Sequence, residues 1–164
     1  MPWLNNDGLT IKYGLEQAEQ AKGGKVNAGD GIKQKLELDI IGTDIPSTDA
    51  PIEKRIGIPQ GATITGAWLL VTTAFTSGGS ATLDVGLMAD NGDGTYSTED
   101  DDGIFSGIAV ATLADGAQVA MDGDYLTTQV GTETHGRDYV VSYGYGTAAF
   151  TAGVAKLVIE YVKN

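Results

Sequence analysis

The sequence predicts an all-β protein folded as an antiparallel β-sandwich, with a jelly roll as one form open to it and an extended arm at the N-terminus. About eight segments alternate apolar and polar residues at short spacing. Twenty-four glycines suit the tight connections between them. The strongest alternation, over residues 62–88, organises the rest: from Ala62 to Phe75, Ile64, Gly66, Trp68, Leu70 and Thr72 fall on one face and Thr63, Thr65, Leu69 and Val71 on the other. Thr76-Ser77-Gly78-Gly79-Ser80 interrupts, then Ala81, Leu83, Val85 and Leu87 resume the pattern, so the two strands are expected to form a hairpin in one sheet.

Taken in order, residues 1–31 read as an arm with a short strand, Leu9, Ile11, Tyr13 and Leu15 alternating with polar residues, and about two turns of helix over Glu16 to Lys22, closed by Gly23-Gly24. Residues 32–164 read as the sandwich. Ile32 to Ile40 is a strand with Ile32, Leu36, Leu38 and Ile40 inward and Lys33, Lys35, Glu37 and Asp39 in water. Gly42 to Pro51 is a loop, Arg55 to Ile58 a short strand ended by Pro59. Asp90 to Gly103 reads as an acidic loop, Ile104 to Leu113 as a short helix or a strand, and Ala117 to Met121 and Tyr125 to Val130 as weak strands. Tyr139 to Tyr145 and Ala155 to Val162 close the sandwich around a turn at Thr147 to Gly153.

At 164 residues one core is expected. Without cysteine there is neither a disulfide nor a thiolate metal site, so stability comes from packing and pairing. No apolar run approaches the roughly twenty residues of a membrane span. The start, Met1 to Gly8, lacks the charged and apolar regions of a signal peptide, and a soluble chain not exported by the general route is expected.

The net charge of −12 is unevenly spread. Residues 1–55 hold 9 acids and 7 bases, residues 56–164 hold 13 and 3, and no lysine or arginine lies between Ile56 and Gly136. A nucleic-acid partner needs a basic track, so none is expected. Either the acidic part faces water for solubility, or a near-neutral N-terminal part docks while the acidic part points away.

The residues give little sign of catalysis. His135, the single histidine, sits near Glu133, Arg137 and Asp138, with Ser142 as the nearest serine hydroxyl, but no nucleophile elbow accompanies them. Asp93-Gly94 can be set at positions five and six of a calcium loop, with Asn91 at three, Ser97 at nine and Asp100 at twelve. Ala89 then occupies position one without an oxygen, and calcium would need another geometry using Asp93, Asp100, Asp101 and Asp102; otherwise no cofactor is expected. Trp68 reads as core, while Tyr143 and Tyr145 share a face that is either packed or a platform for a sugar ring.

Trp3-Leu4-Asn5-Asn6-Asp7-Gly8-Leu9, Ile58-Pro59-Gln60-Gly61-Ala62-Thr63-Ile64, Thr76 to Leu87, and Phe150-Thr151-Ala152-Gly153 leading to Leu157-Val158-Ile159-Glu160-Tyr161 together resemble small virion structural proteins of tailed bacteriophages, most nearly the capsid decoration (cement) proteins. The resemblance implies a non-enzymatic β-rich protein, made in the host cytoplasm and bound in many copies to the outer surface of the capsid. It also implies a homotrimer that reinforces contacts between major capsid protein subunits. The matching motifs carry no catalytic site. Trp3, Leu4, Ile11, Tyr13, Pro46 and Pro51 are the expected contacts with the capsid or a sister subunit. A tail or head-fibre adaptor and a carbohydrate-binding module are the alternatives.

Overall fold

A computed structural model describes residues 33–54, 56–131 and 138–163, together with the backbone of 3–4 and 10–11. In the arm, β1 (Trp3–Leu4) pairs antiparallel with β2 (Thr10–Ile11). The body begins with β3 (Lys33–Ile41), followed by a 3-10 turn at Gly42–Asp44, β4 (Ala50–Pro51) and β5 (Gly57–Ile58). Then come β6 (Ala62–Ser77), β7 (Thr82–Asp90) and β8 (Tyr96–Ala109). A 3-10 turn at Val110–Thr112, β9 (Gln118–Ala120), β10 (Tyr139–Gly146) and β11 (Phe150–Lys163) complete it.

The strands form two antiparallel sheets with one hydrophobic core. One sheet runs β3-β11-β6-β9; the other runs β4-β10-β7-β8, with β5 also on the β10 edge. Counting β4 and β5 as one edge strand, the sheets take the strands from β3 onward in the orders 1-8-3-6 and 2-7-4-5. That is the jelly-roll order.

This order overturns the expected hairpin: β6 and β7 lie in different sheets, as do β10 and β11. Alternation reports which face of a strand is apolar but not which strand lies beside it. Side by side, β6 and β7 would still lack a cover; crossing between sheets lets Leu69 and Val71 face Leu83, Val85 and Leu87 across the core. The two crossings are tied together, since the Ser77 hydroxyl donates to the Ala149 carbonyl at 2.8 Å and accepts from the Gly79 amide at 3.2 Å. Phe75 and Phe150 close this end edge to face, 5.4 Å between ring centres.

The period along β6 also breaks just after Ile64. Ile64 opposes Tyr161 and Gly66 opposes Glu160, so Thr65 is an extra residue, and its hydroxyl donates to the Glu160 carbonyl at 3.2 Å. This bulge switches the inward set from Ala62 and Ile64 to Ala67, Leu69 and Val71. Trp68 therefore lies on the outer face, half-buried, its ring over Gly66 and its strand partner Val158 beside it, rather than in the core.

Two further expectations change, and one open alternative is decided. The acidic loop shortens to residues 91–95, because β8 begins at Tyr96 and carries Glu99 to Asp102 along a sheet edge. Charge on an edge strand discourages pairing with a second chain. Of the helix and the strand open to Ile104–Leu113, the strand forms: Ile104 to Ala109 finishes β8. Tyr125 to Val130 is a turn with one bridge, Thr63 to Gln129; Thr127 sits at φ 64°, which ends any ladder. The inward and outward sets of β3 follow the expected alternation, and Ile32 lies outside the described residues.

The bulge makes neighbouring leucines unequal. Leu69→Ala is expected to cost about 2–5 kcal/mol in denaturant unfolding, and Leu70→Ala about 1 kcal/mol. Equal losses would contradict the assigned inward set.

Candidate functional site

The most unusual local geometry lies on the outward face of the β4-β10-β7-β8 sheet. Leu83, Val85 and Leu87 of β7 are fully buried in the core, which turns Asp84, Gly86 and Met88 outward. On β10, Tyr139 and Val141 point inward, leaving Val140, Ser142 and Gly144 outward. The register sets Gly144 beside Asp84, Ser142 beside Gly86, and Val140 beside Met88. On the other flank Pro51 pairs with Ser142 and Ala50 with Tyr143, which brings Asp49 to Gly144.

β8 does not follow β7 evenly. Val85 pairs with Phe105 and Leu87 with Asp100, so residues 101–104 bulge opposite Gly86 alone. The bulge folds over that glycine: a Cβ on Gly86 would lie 1.9 Å from the Asp100 carbonyl oxygen and 2.6 Å from that of Asp101. Only glycine fits. From the far side the bulge is held by the Tyr125 amide on the Gly103 carbonyl at 2.8 Å and the Gly123 amide on the Ile104 carbonyl at 3.1 Å.

Three aspartates converge there, with Asp84 and Asp49 near enough to feel their charge. Asp100, Asp101 and Asp102 each present a carboxylate oxygen within 4.8 Å of the others. Asp84 Oδ1 accepts from the Gly107 amide at 2.7 Å, and Asp102 Oδ2 from the Ser106 hydroxyl at 2.7 Å. Asp49 Oδ1 lies 2.2 Å from where a Cβ on Gly144 would be. Burial pushes the Asp49 carboxyl above the ordinary aspartate value, helped by the charges of Asp101 and Asp84. Asp84 is raised by burial against the Gly107 hydrogen bond, with Asp102 and Asp101 adding to it. Asp100 is raised by burial and by its two neighbours. Such a group can take up protons or a hard cation.

The expected site residues are only partly gathered. Asp100, Asp101 and Asp102 come together, but Asp93 stays on the 91–95 turn, where its Oδ1 accepts from the Thr95 amide at 2.9 Å and hydroxyl at 2.6 Å. Asn91 likewise spends its amide on Thr95 and Ser97. Trp3 opposes Ile11 and Leu4 opposes Thr10 in the β1–β2 ladder; Tyr13 lies outside the described residues. Pro46 and Pro51 line the β10 edge, the Pro46 carbonyl accepting from the Tyr145 amide at 3.0 Å. Tyr143 and Tyr145 pack against the core, and the Tyr143 hydroxyl donates to the Asp44 carbonyl at 3.2 Å, so neither offers a flat sugar platform. His135, Glu133 and Arg137 lie outside the described residues, and Ser142 is fully buried. Asp49 and Asp84 were not expected at the site; the glycines at 86, 144 and 146 were their only local signal.

No family model and no curated protein matches the sequence. Among solved structures, the fold matches a chain of the cyanophage Pam1 capsid asymmetric unit with a TM-score of 0.56 and 18% identity, over 82% of this chain and 87% of that one. The fold is one found in phage capsids. A chain of the Ralstonia phage GP4 capsid matches with a TM-score of 0.53 and 19% identity, over 83% and 87%. At such identities the likeness is one of fold.

The raised carboxyls set a sign for pH dependence. Asp49, Asp84 and Asp100 bind protons more tightly folded than unfolded, so their repulsion is relieved as pH falls from neutral toward the ordinary value of 3.8. Exposed Glu37, lowered by Lys35, acts in the opposite sense and is screened by solvent. With chelator present, the melting temperature is expected to be higher near about pH 5 than at neutrality; a steady fall over that range would contradict the cluster's electrostatics.

Proposed function

We propose that this chain is a non-enzymatic decoration (cement) protein of a phage head. It binds in many copies to the outer surface of the shell and stabilises contacts between major capsid protein subunits. The observation that carries this reading is the jelly roll, shared over more than four-fifths of the chain with chains from two phage capsids. The role on the head, the outer placement and the trimer are this proposal's own.

The distribution of charge supports it. The outer face of β3 and β11 holds Lys33, Lys35 and Lys156, engaged with Glu160, Glu37 and Asp39. The other sheet's outer face gathers aspartates with no counter-charge between Ile56 and Gly136. A body polarised in this way has one face suited to a protein shell and one suited to water. Residues 1–31, with Trp3, Leu4, Ile11 and Tyr13, form the segment that lies across neighbouring subunits, and the β10 edge with Pro46 and Pro51 lies against the capsid or a sister subunit. Ile41 and Ile56, each 45% exposed, add apolar surface. In a trimer, modest contacts sum to high avidity.

The test is addition of purified protein to shells lacking it, followed by sedimentation. The full chain is expected to co-sediment and to raise the temperature at which shells break; a chain without residues 1–8 should bind at least about tenfold more weakly while melting normally. Undiminished binding of the shortened chain would remove the arm's role, and failure of the full chain to bind would remove the reading itself.

A further inference from the structure

The outer face of the β3-β11-β6-β9 sheet keeps large apolar side chains in contact with water. The bulge at Thr65 turns Trp68 and Leu70 outward on β6, each half-buried, with the Trp68 ring lying along the face over Gly66. Beside them on β11 are Val158 and Lys156. Further along β11, Val154 is 38% exposed and pairs with Ile41 of β3, which is 45% exposed. Only four large apolar side chains among the described residues are this open to water, and two of them meet here. Around this apolar ground Lys33, Lys35 and Lys156 are engaged with Glu160, Glu37 and Asp39, so the rim is charged but balanced. An aromatic within an apolar patch ringed by polar groups is the anatomy of a contact face.

The chain itself supplies an occupant. Residues 1–32 precede the body and enter it at Lys33, the first residue of β3, on the edge of this same sheet. From β3 to β6 is two strand spacings, about 10 Å, while residues 12–32 would span about 70 Å if extended, so the arm has reach to spare. It also has a reason to settle. Its β1–β2 ladder is held by two pairs, Trp3 with Ile11 and Leu4 with Thr10, and so short a two-stranded ladder is marginal at best alone in water. Trp3, Leu4, Leu9, Ile11 and Tyr13 give the arm apolar residues to bury, and its charges, 4 acids and 3 bases over residues 1–32, nearly cancel. That matches the balanced face and not the acidic one opposite.

We propose that in the free chain the β1–β2 arm packs across the outer face of its own β3-β11-β6-β9 sheet, seated on Trp68, Leu70, Val154 and Ile41. The contact is intramolecular, so the arm meets its seat at an effective concentration in the millimolar range, and a modest apolar contact is enough to hold it. Because the seat is on the outside of the sandwich, the arm can leave it without opening the core. On a shell, where copies crowd together, the same seat on a neighbouring copy would be open to exchange, as in domain swapping. The inference concerns the free chain and is tested there, apart from the capsid reading.

Trp3 and Trp68 are the two tryptophans of the chain, so in Trp3→Phe the quenching of fluorescence by acrylamide reads the seat directly. Removing residues 1–15 is expected to raise the quenching constant of Trp68 about twofold or more and to move its emission to the red, with little change in global melting. In a second measurement, trypsin cleavage after Lys12 is expected to be about tenfold faster in Leu70→Glu than in the unaltered chain. Equal quenching with and without the arm would overturn the seat, as would cleavage indifferent to Leu70→Glu. The shortened chain is also refolded with an excess of full chain carrying Trp3→Phe and Trp68→Phe, which contributes no tryptophan signal, and its quenching is expected to stay high. Recovered shielding in that mixture would give the seat to a neighbouring copy's arm and overturn docking within the chain. Shielding that appears only when shells are added would give it to the shell protein, with the same consequence.

Discussion

The inner faces of β6 and β7 can be buried only against each other, and the arrangement of the molecule follows from that. Leu69 and Val71 on one strand and Leu83, Val85 and Leu87 on the next are essentially removed from water. Each such side chain contributes about 1.5–3 kcal/mol when fully buried. Successive strands that cross between sheets satisfy both faces at once, whereas a flat hairpin satisfies neither. Once β6 to β7 and β10 to β11 cross, β11 falls between β3 and β6, and β10 falls between β4 and β7.

The outward faces are then free to differ, and they do. On the β3–β11 side, charges alternate in sign and pair across the strands, as between Lys33 and Glu160 at 2.6 Å and Lys156 and Asp39 at 3.0 Å. Exposed pairs of this kind add little stability but keep the face balanced. On the other side the β8 bulge folds over Gly86 and brings like charges together at a cost that the folded core bears. Protons relieve part of that cost in acid, because Asp49, Asp84 and Asp100 hold them more tightly in the folded chain.

Much of the fold was legible in the sequence. The β3 alternation, the strands at β10 and β11 and the sandwich all follow from period-two patterning and glycine placement. The pairing of strands did not, because Ser77-Gly78-Gly79-Ser80 serves a hairpin and an inter-sheet crossing equally well. Nor did the bulge at Thr65, since one inserted residue reverses every later face while leaving local propensity unchanged. The acidic site was half visible: Asp100 to Asp102 stand out as a run, but their joining with Asp49 and Asp84 depends on a register that only the folded sheet defines. Asp93 drew attention through an Asp-Gly signature that the structure uses for its own turn.

A body with one balanced face, one acidic face and a jelly-roll core suits repetition over a shell, and the central claim is therefore a claim about number. The most direct measurement is the amount of this chain relative to the major shell protein in purified particles from its source, by quantitative mass spectrometry. The account predicts copies in simple proportion to the shell protein. A copy number far below that proportion would contradict a place on the shell and move the protein to a tail or fibre, and absence from particles would contradict the virion role altogether.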